Sequence, residues 1–226
     1  PPGHAVVDTA FAYLQVLSPK VHPNVRERVR KLAIFSLPPL GVGLSLLLYN
    51  AHRFDQWHEF GHRYLAGGQL KRIAEYGLFH WVFVKKNVIA AFALLPMFSL
   101  SAPLMTYSWH GMALQFSSPH LMFACKPAPM TDDIKRLRRG LIVVVLSTFA
   151  LLILYQNTGW VQYSWRFSLD LIPALTILIL IAKGAQVRLF KGLVLWGIVV
   201  NLLGALMFGR ASIWWSAVDL PKLLPH

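Results

Sequence analysis

Gly140–Trp165, GLIVVVLSTFALLILYQNTGWVQYSW, runs for 26 residues without a charged side chain. A helix advances about 1.5 Å per residue, so about 20 apolar residues cross the hydrocarbon core of a bilayer. Leu141–Tyr155 reads as such a span, and Gln156–Asp170 as the polar, aromatic loop that leaves it. Three further charge-free windows are Leu32–Ala51 with 20 residues, Asn87–Cys125 with 39 and Gly192–Gly209 with 18. Leu171–Ala182 has only 12, but Lys183 can snorkel and lengthen it. The chain is 56% apolar and 14% charged, with a mean hydropathy of +0.51, whereas a soluble domain carries about 25% charged residues. The fold class expected is all-α: a polytopic integral membrane protein with about five transmembrane helices.

A net charge of +13 would suggest nucleic acid as the partner of a soluble protein. Here the basic residues gather in Lys20–Lys31, Lys126–Arg139 and Lys183–Lys191, which hold 13 of the 22 Lys and Arg. Their density there is roughly four-fold that of Ala51–His110, Gly159–Asp170 and Arg210–His226 combined, the asymmetry of cytoplasmic against outer loops. The partner implied is membrane lipid, not nucleic acid. The lone Cys125 excludes an internal disulfide and a cysteine-based metal site.

Alternation of the loops then sets the plan. Residues 1–31 end a preceding helix and form a basic cytoplasmic segment. Spans follow at 32–50, 111–125, 140–157, 171–187 and 192–209. Residues 51–110 and 158–170 are outer loops, 126–139 is cytoplasmic and 210–226 is an outer tail. Pro38-Pro39 are expected to kink or break the first span. Asn87–Tyr107 holds Pro96 and Pro103 and is read as a re-entrant or interfacial outer-face segment. Tyr49, Tyr155, Trp160 and Trp214 suit an interfacial belt, as do Trp57 and Trp165 rather than sugar platforms. Lys85-Lys86 read as headgroup anchors. The chain opens Pro1-Pro2-Gly3 rather than on methionine, so a fragment of a longer protein is expected.

The chemistry concentrates in Tyr49–Leu65, YNAHRFDQWHEFGHRYL. His58-Glu59-Phe60-Gly61-His62 has H-E-x-x-H spacing, in which two histidines one helical turn apart bind zinc and the glutamate acts on its water. A divalent metal on His58, His62 and Asp170, in an intramembrane metalloprotease, is therefore one alternative. Against it, Arg53, Asp55 and Arg63 flank the motif where such proteases have an apolar helix. Arg53, Arg63 and Arg166 are outer-face arginines in aromatic surroundings. Each can clamp a lipid-linked phosphate, or snorkel and pair with Asp55, Glu59 or Asp170. Arg166 and Asp170 stand four apart, so on a helix both would face the first loop.

Taken together, Tyr49-Asn50-x-x-Arg53-Phe54, Glu59-Phe60-Gly61-His62-Arg63-Tyr64 and Gly77-Leu78-Phe79 resemble one end of polytopic bacterial membrane glycosyltransferase-like proteins. These have the GT-C architecture and are related to the dolichyl-phosphate-mannose-protein mannosyltransferases. Thr158-Gly159-Trp160-x-Gln162-Tyr163-x-x-Arg166-Phe167-Ser168-Leu169-Asp170-x-x-Pro173 is similar to a phrase of the same family, and Asn201-Leu202 also fits. The resemblance runs from about Ser36 to Arg210. It implies a C-terminal part of an enzyme of the cell (inner) membrane, its main polar loops extracytoplasmic, that moves sugar from a polyprenyl-phosphate carrier to an acceptor. The matching positions are Arg53, Glu59, His62, Arg63, Arg166 and Asp170. It assigns no cofactor and places the catalytic acidic residue in a first outer loop that no stretch here matches. A non-catalytic membrane scaffold or transporter-like subunit is the remaining alternative.

Overall fold

The computed structural model describes residues 24–64, 68–101, 105–127, 130–159, 161–207 and 215–216. The expected helix end at 1–23, Trp160, Trp214 and most of the tail lie outside them. Three helices are long and apolar enough to cross a membrane: α1, Val25–Phe54; the helix Asp132–Leu154; and Arg188–Met207, whose window Arg188–Leu206 meets the criterion. At 1.5 Å per residue they reach roughly 45, 35 and 28 Å.

In chain order, α1 is followed by a 3-10 turn at His62–Tyr64, α2 (Gly68–Tyr76) and α3 (Val84–Phe92). Strands β1 (Met97–Phe98) and β2 (Met105–Ser108) come next, then α4 (Leu114–Ser117) and a 3-10 helix at Pro119–Cys125. The bundle closes with α5 (Asp132–Leu154), a 3-10 turn at Arg166–Asp170, α6 (Ile172–Ile181), α7 (Arg188–Met207) and β3 (Trp215–Ser216).

Local chemistry explains the ends of α1. The Asn24 side chain accepts from Arg26 N at 2.9 Å and so caps one of the amides that a helix start leaves open. Glu27 sits in the first turn and His52 and Arg53 in the last, matching the helix dipole, and Asp55 stops the helix at φ 55°. The helix runs unbroken through Pro38-Pro39, contrary to the break expected there. None of the residues in its apolar stretch is fully buried among the described residues.

The segment 111–125 is not a long helix. Ser118 leaves helical geometry at φ −144°, ψ 57°, and Pro119 begins a separate 3-10 helix. The two pieces pack against α6 and α7. Leu121 and Ala124 join Leu141 and Val144 of α5 and Ala174, Leu178 and Ile179 of α6 in one buried cluster.

Asn87–Tyr107 completes a nine-residue helix and then forms a hairpin. Pro96 immediately precedes β1. Met97 pairs with Thr106 and Phe98 with Met105 antiparallel, while Tyr107 and Ser108 pair parallel with Trp215 and Ser216. The all-α expectation lacked this small sheet, since strands this short carry too little periodicity to detect.

Trp165 is fully buried, packed with Ala90, Ala91, Leu94 and Leu171. It is core rather than the belt residue expected, and its backbone N donates to Met112 O at 3.1 Å. Truncating a buried aromatic costs about 3–5 kcal/mol. Trp165→Ala is expected to lower the unfolding temperature in detergent, read by circular dichroism, whereas exposed Trp57→Ala leaves it within a degree or two.

Candidate functional site

Two loops meet beyond the C-terminal end of α5. Met112 N donates to Tyr163 O at 2.9 Å, Trp165 N to Met112 O at 3.1 Å and Gln162 N to Trp109 O at 3.3 Å. These bonds zip Trp109–Met112 against Gln162–Trp165. Gly111 and Gly159 have φ of 87° and 90°, a region open to glycine. A Cβ on Gly111 would stand 2.9 Å from the Ser164 carbonyl carbon, and one on Gly159 would overlap the Gln162 amide.

Buried Gln162 donates its Nε2 to His110 O at 2.6 Å and to Thr158 O at 3.0 Å. His110 Nδ1 lies 2.8 Å from Thr158 Oγ1 and 3.2 Å from the Gly159 carbonyl. A carbonyl only accepts, so the hydrogen-bond pattern assigns the proton to Nδ1. Burial holds the His110 imidazole below its ordinary value against the opposing Gly159 carbonyl, and the charge of Lys86 lowers it further.

From the other side α3 closes the end of α5. Asn87 Nδ2 donates to Ile153 O and Tyr155 O at 2.8 and 2.7 Å, and Lys86 Nζ to Gln156 O at 2.6 Å. Lys86 also lies 4.9 Å from the centre of the Phe83 ring. Of the two lysines expected to anchor headgroups, Lys85 is exposed, whereas Lys86 turns inward to cap a helix. Desolvation, followed by the charge of Arg72, lowers the Lys86 ammonium to about 8.

Beside this knot an open groove of about 630 Å3 runs between Val161–Ile172 and α7. Val161, Leu169, Ile172 and Ala205 supply apolar wall, while Ser164, Ser168 and Asn201 supply polar surface and Arg166 a guanidinium. Asn201 Nδ2 donates to Ser117 O at 2.8 Å, and Ser117 and Ser164 hydroxyls meet at 2.6 Å, which ties α7 to the loop. Burial, then neighbouring Tyr107, raises the Tyr163 phenol to about 12, so it remains a protonated hydroxyl. A Cβ on Gly204 would overlap the Tyr163 ring.

Of the six positions that the resemblance marks as site residues, Arg53, Glu59, His62, Arg63, Arg166 and Asp170, only Arg166 lines this groove among the described residues. Asp170 is half-buried and is absent from the groove wall. The reason is local: Arg166–Asp170 is a 3-10 turn, where residues four apart point about 120° away from each other. Asp170 lies just before α6, a favourable place for a carboxylate.

Arg53, Glu59 and His62 sit at the end of α1 and on the segment after it, which contributes no lining residue to the groove. Arg53 Nη1 donates to Tyr49 Oη at 3.3 Å and its guanidinium lies 5.0 Å from the Phe54 ring centre. Glu59 is buried and His62 half-buried. The side chain of Arg63 is outside the described residues.

His58 lies in a turn and His62 opens a 3-10 turn, so the H-E-x-x-H pair shares no helix face. Among the described residues no group of three or more His, Cys, Asp or Glu comes together to hold a metal ion. The sequence reading missed His110, Thr158, Gln162 and Asn87. Their signal was polar residues beside glycines at the mouth of an apolar run, Ser108–Gly111 and Gln156–Gln162. No protein-family model, curated protein or solved structure matches the chain.

The Lys86 shift has a pH signature. Its ammonium is held below its ordinary value, so above pH 8 the folded state binds fewer protons than the unfolded one. Stability therefore rises with pH between about 8 and 10.5 and is lowest, as far as Lys86 is concerned, below about 8. Unfolding midpoints of wild type and Lys86→Met across that window are expected to show a steeper rise for the wild type. Parallel curves would mean the amine stays solvated. Gly159→Ala is expected to lower the midpoint by several degrees, because the side chain meets Gln162 at a strained φ.

Proposed function

We propose that this chain is the C-terminal part of an integral-membrane glycosyltransferase. It moves a sugar from a polyprenyl-phosphate carrier to an acceptor on the extracytoplasmic face of the cell (inner) membrane. The observation that supports this reading is the groove beside Arg166, where a guanidinium, hydroxyls and an amide share one cleft with apolar wall. A lipid-linked phosphate has that same division. Its phosphate suits the planar fork of arginine, and its isoprenoid chain suits Leu169, Ile172 and Ala205.

In this reading about five segments cross the bilayer, the three long helices together with 111–125 and α6. The knot of His110, Thr158 and Gln162 holds the groove's loop, and the arginine acts in binding. Removal of the acceptor proton needs a base, and its carboxylate is expected in a first outer loop that no stretch of this chain matches. Asp170 keeps α6 at its start, and Arg53, Glu59, His62 and Arg63 bind at a separate part of the outer face.

A short-chain polyprenyl phosphate is expected to raise the unfolding temperature of the purified protein in a concentration-dependent way. Arg166→Gln is expected to weaken that binding about ten-fold, the loss of one charge-assisted contact. Equal affinity in both proteins would remove Arg166 from the site. No shift in the wild type would remove the lipid-phosphate reading itself.

A further inference from the structure

The opposite end of α5 carries a second site of a different character. Met122, Phe123, Cys125, Lys126 and Leu189 line a slot of about 330 Å3, apolar except for one ammonium at its rim. Met122 and Leu189 are exposed, and the Phe123 ring packs edge-on against Phe190 at 5.6 Å. The slot exists because three segments close on one another. Arg138 Nη2 donates to Cys125 O and Lys126 O at 3.5 and 3.4 Å, and Lys126 Nζ to Lys183 O at 3.5 Å. Gly184 permits the approach, since a Cβ there would already stand 3.1 Å from Phe123 Cβ.

The charges around the slot are unbalanced. Asp132 pairs with Lys135 at 3.1 Å and Asp133 with Arg136 at 2.6 Å. No carboxylate pairs with Lys126, Arg138, Arg139, Lys183, Arg188 or Lys191 among the described residues. Lys183, Arg188, Lys191 and Arg139 are exposed, and Arg188 immediately precedes Leu189 of the slot. A shallow apolar depression with Lys126 at its rim, flanked by segments whose cations pair with no carboxylate among the described residues, matches a ligand with a hydrocarbon tail and an anionic head. Basic patches at helix ends recognise such lipid headgroups.

We propose that this slot binds an anionic glycerophospholipid. One acyl chain lies along Met122, Phe123 and Leu189, and the phosphate lies among Lys126, Lys183 and Arg188. The site is separate from the Arg166 groove and does not depend on a lipid-phosphate sugar donor. A bound lipid would join the 3-10 helix, α5 and the start of α7, much as Arg138 already does with its two carbonyl contacts.

The test uses the full chain purified in a neutral detergent and offered phosphatidylglycerol or phosphatidylcholine of identical acyl chains. Retained lipid is counted by native mass spectrometry, and stability is followed by thermal unfolding. Wild type is expected to retain phosphatidylglycerol at least ten-fold over phosphatidylcholine. The triple change Lys126→Gln, Lys183→Gln, Arg188→Gln is expected to abolish that preference, and Leu189→Trp to lower retention by filling the slot. Lys71→Gln, an exposed lysine of α2, serves as the control and is expected to keep the preference.

Equal retention of the two lipids by wild type overturns the proposal, whether or not the triple variant folds. So does a folded triple variant with the wild-type preference. Inorganic phosphate that displaces the lipid and stabilises the protein equally would show an anion site without a chain slot, and would also overturn it. Arg166→Gln is expected to leave the preference unchanged, so failure here and failure of the groove reading are read separately.

Discussion

The C-terminal carbonyls of a helix that ends at an apolar boundary must find donors, because water is scarce there and an unpaired carbonyl is costly. At the end of α5 those donors come from elsewhere in the chain. Asn87 serves Ile153 and Tyr155, Lys86 serves Gln156, and His80 N bonds Leu154 O at 2.9 Å. Gln156 N answers with Leu78 O at 2.9 Å. This half of the molecule hangs on the capping, because it joins α3 to α5 and sets the direction in which the loop departs. The lowered Lys86 ammonium has the same origin, a cation held under a helix end with little water.

From that start the loop has few choices. Gly159 turns it back, Gln162 fastens it to His110 and Thr158, and Trp165 drops into the core against α3. The short turn Arg166–Asp170 thereby leads into α6, which packs against α5 and the 3-10 helix Pro119–Cys125. The groove is the space this path leaves. Its polar side includes Ser164 and Asn201, already committed with Ser117 to holding the loop and α7 together.

The two ends of the molecule are built on different physics. One carries backbone-satisfying amides, a protonated phenol, the half-buried Lys86 and the groove's Arg166. The other carries six basic side chains and an apolar slot. The partners proposed for them differ, a lipid-linked phosphate in one case and an anionic headgroup in the other. The apolar stretch of α1 that follows its basic first turns suits a membrane, since lipid is the solvent in which such a surface is stable.

How much the linear chain discloses differs by level. The long charge-free windows marked α1, α5 and α7, because crossing a bilayer is a matter of length and hydropathy, both local properties. Arg166 was legible as a cation among aromatics at a loop. Four things were not legible: the break at Ser118, the 3-10 geometry that parts Arg166 from Asp170, the non-helical H-E-x-x-H, and the partnership of Lys86 with Gln156. Each depends on which backbone group lacks a hydrogen bond once distant segments have packed, and a linear pattern does not contain that information. The sequence by itself determined a mostly helical chain with membrane-length apolar helices. Tertiary structure decided which polar residues meet, because satisfying buried carbonyls is a requirement set by neighbours in space.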